Sequence, residues 1–105
     1  MSKIRAIIKR PDEEYGHVTH ISVSLENLQR TVGGYIETVV VTINGKRVVL
    51  ILNEEGKLLN LEPNMGLGDD MLVGTIIAVG DGGEDFTDLP ISFDAWKRFV
   101  METAS

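Results

Sequence analysis

Asn44-Gly45 is the feature that most constrains what this chain can fold into. Both residues tolerate the positive φ that a type I′ turn demands, and apolar, β-branched runs stand on either side of them. The spacing predicts strands over residues 35–43 and 46–52, folded back on each other at a two-residue turn. The register follows from the turn. Val41 opposes Val48 and Val39 opposes Leu50 on one face, while Val40 opposes Val49 and Thr42 opposes Arg47 on the other. The first face reads as core. The second is mixed, because Thr38 and Ile51 share it. A half-apolar face is either covered by another element or used as an interface. Val40, Val49 and Ile51 on that face allow a homodimer.

The rest of the chain supplies partners for this hairpin. Residues 3–9 (KIRAIIK) read as a strand stopped by Pro11, and residues 17–23 (HVTHISV) alternate as a second strand after the loop DEEYG. Ser24 reads as an N-cap, followed by Leu25, Leu28 and Val32 at helical spacing and by Gly33-Gly34, which predicts a helix over residues 25–32. Asn53-Glu54-Glu55-Gly56 reads as a tight turn with Gly56 at positive φ and Asn53 bonding its own following backbone. Leu58, Leu59 and Leu61 then fit an irregular segment that tucks leucines under the sheet and closes at Pro63-Asn64. Residues 65–70 (MGLGDD) read as loop, residues 73–79 as a strand, and residues 80–85 as a flexible turn. Ser92 is a second N-cap. Phe93, Trp96, Phe99 and Val100 predict an amphipathic helix that contributes heavily to the core.

These elements predict an α+β fold, a mainly antiparallel sheet of about five strands packed against two helices. At 105 residues the chain suits a single domain spanning residues 1–105. The 43% hydrophobic and 25% charged residues are those of an ordinary globular protein, so extensive disorder is not expected. No apolar run approaches the ~20 residues of a membrane span, and the N-terminal apolar run ends at Lys9-Arg10 without a cleavage signal. The absence of cysteine removes disulfides, thiolate nucleophiles and cysteine-ligated metal, and fits a cytoplasmic protein. A net charge of −6 argues against direct nucleic-acid binding, since no counterion release is gained.

Most catalytic signatures are missing. His17 and His20 fall on opposite faces of a strand, and no third histidine completes a zinc site. Residues 81–88 (DGGEDFTD) have the oxygens calcium prefers, but Phe86 stands where an EF-hand requires glycine. Residues 65–71 begin like G-x-G-x-x-G but place Met71 at the sixth position and lead into a strand, not a helix. Neither a P-loop nor a G-x-S-x-G elbow occurs. No catalytic residue, metal ligand or cofactor is assigned.

The order of motifs is more informative. Leu28-Gln29-x-x-Val32-Gly33-Gly34-Tyr35-Ile36-Glu37 is followed by Asn53-Glu54-Glu55-Gly56-Lys57-Leu58, Pro63-Asn64, Gly74-Thr75 with its Ile/Val run to Gly80, and Asp85-Phe86-Thr87-x-Leu89. In this order the chain resembles domain-of-unknown-function family 3846, small proteins of bacteria, phages and mobile elements. The resemblance implies a bacterial or phage origin and an intracellular setting. It carries no activity and no catalytic residues.

The resemblance draws attention to the polar residues around the turn. Turn geometry needs Gly56 but not two glutamates and a lysine. One reading is turn geometry plus solubility. The other is a recognition surface formed by Tyr35, Asn53, Glu54, Glu55, Lys57 and Asn64, whose partner is a protein or a small molecule. Three functions follow. The first is a non-enzymatic binding module acting through the sheet edge and acidic loops. The second is an acidic DNA mimic or anti-defence protein. The third is a small enzyme with an unrecognised carboxylate site.

Overall fold

The computed structural model describes residues 2–103. The strands β1 (Lys3–Lys9), β2 (His17–Ser22), β3 (Ile36–Ile43), β4 (Lys46–Asn53) and β7 (Ile76–Asp81) form an antiparallel sheet in the order β2-β1-β7-β4-β3. The short strand β8 (Phe86–Thr87) pairs with the end of β7, and β5 (Pro63–Leu67) and β6 (Asp70–Val73) make a separate hairpin. Two helices, α1 (Leu25–Val32) and α2 (Phe93–Thr103), complete the fold.

The turn at Asn44-Gly45 sets the predicted register. Asn44 has φ 52° and Gly45 φ 75°, and the ladder runs from Ile43↔Lys46 to Ile36↔Asn53 without a bulge. From β2 the chain crosses to the opposite edge of the sheet through α1. Ser24 caps that helix by accepting from the Asn27 amide at 3.2 Å, and Gly33 ends it at φ 85°. The capping at Ser92 is of the same kind, with the Ala95 amide donating to its hydroxyl at 3.1 Å.

Both faces of the central strands are buried, so of the two readings of the half-apolar second face the structure shows the one in which another element covers it. Leu28 and Val32 of α1 pack on Ala6, Ile8, Val49, Ile51, Ile77 and Val79. Trp96 and Val100 of α2 pack on the other face against Ile7, Val48, Leu50, Ile76 and Ala78, joined there by Met65 and Leu72 of the β5–β6 hairpin. Alternate residues of β4 and β7 thus enter opposite cores, which explains their unbroken apolar sequences. Val49 and Ile51 are covered within the chain, so they offer no surface for a homodimer; Val40 remains exposed on the edge strand.

Four further details depart from the sequence reading. Residues 65–70 are not loop but lie within the β5–β6 hairpin, which turns at Gly68 (φ 60°) and Asp69. The Gly-Asp pair is itself a hairpin signal, and the glycines flanking Leu67 masked it. The last long strand begins at Ile76, because Gly74 at φ 76° breaks the extended run. Gly56 does not adopt positive φ; a Cβ there would lie 2.8 Å from Val73 Cγ2, so close packing is what requires glycine. Leu58 and Leu59 are not tucked away but exposed, and only Leu61 turns inward.

The Trp96 indole is fully buried and its Nε1–H donates to the Tyr15 carbonyl at 2.7 Å, tying α2 to the β1–β2 loop. Replacing Trp96 by alanine is expected to cost about 3–5 kcal/mol through cavity formation. Urea unfolding followed by circular dichroism checks this, and a loss under about 1 kcal/mol would contradict the packing described.

Candidate functional site

The turn after β4 is built as one short helical cycle. The Leu59 amide donates to the Glu55 carbonyl at 3.0 Å, the Leu61 amide to Gly56 at 3.0 Å and the Asn60 amide to Lys57 at 3.2 Å, with Asn60 at φ 55°. The last two bonds and the left-handed Asn60 form a Schellman closure, so residues 56–61 have a defined shape. Lys57 and Leu58 project from it.

Asn53 anchors this turn to the body of the protein. Its side chain is 3% exposed. Nδ2 donates to the Val32 carbonyl at the end of α1 at 3.2 Å, and Oδ1 accepts from the Glu55 amide at 2.8 Å. The expected local bond to following backbone is therefore present. The side chain is committed to structure, and it forms a wall between two clefts.

The first cleft, about 350 Å³, lies between Glu37 and Val39 of β3 and Met71, Leu72 and Val73 of β6, with Glu54, Lys57 and Leu58 at its rim. The second, about 200 Å³, is lined by Tyr35, Glu55 and Leu59 beside the end of α1. Five of the six sequence candidates, Tyr35, Asn53, Glu54, Glu55 and Lys57, thus meet at one end of the sheet. Four apolar side chains stand exposed there: Leu58 at 81%, Tyr35 at 67%, Leu59 at 56% and Met71 at 46%. Lys57 forms an ion pair with Asp70, and that contact together with the Met71 amide holds the Asp70 carboxyl below its usual range. Glu37, Glu54 and Glu55 form no ion pair among the described residues.

Asn64 is not part of this group. Its Nδ2 donates to the carbonyls of Lys9 and Gly74, both at 2.8 Å, and its Oδ1 accepts from Lys9 Nζ at 2.8 Å. It clamps β5 to the end of β1. Lys9 is 2% exposed, and burial lowers its pKa, an effect the nearby Glu13 carboxylate opposes. Both residues border a cleft of about 570 Å³ between the β1–β2 loop and the end of α2. Glu13 itself is held below the usual carboxylate range, first by the Arg10 amide at 2.8 Å and further by His17 at 3.0 Å.

Sequence reasoning missed Glu37, Met71 and Asp70 at the first cleft and Lys9 at the third. Met71 and Asp70 became visible only with the β5–β6 hairpin. Lys9 at a strand end gave no signal of burial. No helix is long and apolar enough to cross a membrane among the described residues, and no cluster of His, Asp or Glu there has the arrangement a metal ion requires.

The family model described as Domain of unknown function (DUF3846) matches residues 4–99. The chain belongs to that family. Searches of curated proteins and of solved structures returned no match.

Asn64→Ala is expected to destabilise the fold by about 2–4 kcal/mol, since it leaves the Lys9 and Gly74 carbonyls without their donor and leaves the Lys9 ammonium only its longer bond, 3.3 Å, to the Asn64 backbone carbonyl; chemical denaturation at neutral pH reads the change. Glu13 has a folded-state pKa below its ordinary 4.5, so its contribution is present above that value and is lost as pH falls through the folded-state pKa. Glu13→Gln should therefore flatten the decline of unfolding free energy below about pH 4.5. An unchanged acid limb in a pH series of denaturation curves would contradict this.

Proposed function

We propose that this DUF3846 protein is a non-enzymatic binding module, an accessory protein of bacterial or phage type working in the cytoplasm, whose partner docks on the end of the sheet around residues 54–61. The observation that carries this reading is the gathering of Tyr35, Leu58, Leu59 and Met71, exposed, along two clefts that share Asn53. Exposed apolar groups placed singly need no explanation, whereas a cluster rimmed by charge is the signature of an interaction site. The Schellman closure supports the same reading. It holds Leu58 in water without any packing reward in the free chain, and a preformed surface loses little entropy on binding.

The second cleft, at about 200 Å³, is smaller than ligand pockets generally are, and the cleft of about 570 Å³ has its Lys9 amine already bonded to Asn64. The acidic groups argue against mimicry of DNA. Glu54 and Glu55 lie at the end of β4, while Asp81 and the residues following it lie at the opposite end of the sheet, since Val48 rather than Ile51 pairs with Gly80. Asp81 is bonded to Arg47 at 2.8 Å and Asp70 to Lys57. A phosphate-like row would need its carboxylates aligned and free.

The double substitution Leu58→Ser/Leu59→Ser is expected to leave stability within about 0.5–1 kcal/mol of the parent. A photo-crosslinking residue at the exposed Met71 should capture one protein from bacterial lysate, prepared with and without phage infection, and the same residue at the exposed Leu25 of α1 should not. The double variant should lose the captured protein. Capture from both positions alike, or capture indifferent to the serine substitutions, would overturn the proposal.

A further inference from the structure

The outer edge of β3 extends the binding surface and indicates what occupies it. β3 is the last strand in the sheet order, and nothing pairs with its outer edge among the described residues. Ile43 and Lys46 flank the two-residue turn as a hydrogen-bonded pair, so odd-numbered residues of β3 bond to β4. The Glu54 amide donating to the Tyr35 carbonyl at 2.8 Å continues that phase. The N–H and C=O groups of Ile36, Thr38, Val40 and Thr42 therefore point outward.

Apart from Glu37, this edge carries none of the usual guards. Its eight residues, IETVVVTI, contain no proline and no lysine, and the ladder with β4 has no bulge. A long, regular and β-branched edge left open in water is a template for another strand. The first cleft opens on the same strand, with Glu37 and Val39 forming its wall. Glu37 and Glu54 at that cleft form no ion pair among the described residues, in a chain of net charge −6.

We propose that an extended segment of a partner protein, alternating basic and apolar residues, adds to the sheet beside β3 as a further strand. Resting on the docking surface proposed above, it names the partner's form and charge. Main-chain hydrogen bonds to Thr38 and Val40 supply the affinity, as in other cases of strand addition. Alternate side chains of the added strand lie on the cleft side. An apolar one enters against Val39 and Leu72, and basic ones meet Glu37 and Glu54. The charge favours a basic segment over a second copy as the natural occupant, because two chains each carrying −6 repel.

The test uses a linear peptide display library selected on the full chain, followed by synthesis of the enriched peptide. The expected result is enrichment of proline-poor peptides with alternating basic and apolar residues. Binding should weaken several-fold in high salt and at least tenfold in Val40→Pro, which removes one outward N–H and leaves the ladder to β4 intact. Thr38→Pro serves the same purpose if Val40→Pro does not fold. In the parent chain the amides of Thr38, Val40 and Thr42 should gain protection from hydrogen exchange when the peptide is bound. Peptide binding that survives both proline variants but is lost in Leu58→Ser/Leu59→Ser would overturn strand addition and leave the docking surface standing. No enriched peptide would overturn strand addition. A parent dimer in sedimentation that Val40→Pro dissociates would assign the edge to a second copy and overturn the proposal.

Discussion

Two strands, β4 and β7, lie side by side at the centre of the sheet with no face left to water, and the rest of the fold follows from covering them. Their residues 48–52 and 76–79 are all buried. Each face needs a lid. The crossover α1 supplies one, using only Leu28 and Val32 as fully buried contacts. The other needs more cover, because it must receive Trp96 and leave room for Met65 and Leu72. This is why the chain between β4 and β7 folds as a hairpin and does not return directly. With both faces closed, what remains open is the outer edges, the turns and the seams between the hairpin and the sheet. The first cleft is one such seam.

Local signals in the sequence were strong enough to define much of this. Asn44-Gly45 fixed its own register because positive φ at both central residues admits few alternatives. Ser24, Ser92 and Gly33 marked helix ends by capping chemistry that acts within a few residues. Tertiary effects were harder to see. That α1 and α2 take opposite faces depends on β7 entering between β1 and β4, and no residue of β7 announces its neighbours. The exposure of Leu58 and Leu59 contradicts their hydropathy, and only the Schellman closure at Asn60 explains it. Gly56 was identified as indispensable for the wrong reason, since the crowding comes from Val73, seventeen positions along the chain.

The candidate site was legible as a location but not as a set of roles. Asn53 and Asn64 stood out as polar residues of the motifs that carry the family resemblance, and both turn out to be internal clamps, one for α1 and one for Lys9. Their distinctive positions report backbone carbonyls that need a donor. The side chains of Glu54, Glu55, Leu58 and Leu59 between them have no such internal duty. This division separates what holds the turn in place from what the turn presents: the side-chain amides of Asn53 and Asn64 fix the frame, and Glu54, Leu58 and Met71 face outward from it.

The claim underlying the functional account is that β3 is paired on one side only. Amide hydrogen exchange in the free chain, resolved residue by residue by NMR, tests this most directly. The account requires a two-residue alternation along β3, with Val39 and Val41 protected by roughly 100-fold or more over Thr38, Val40 and Thr42. Equal protection of odd and even residues in that strand would mean that the edge is already occupied, and the account would be wrong.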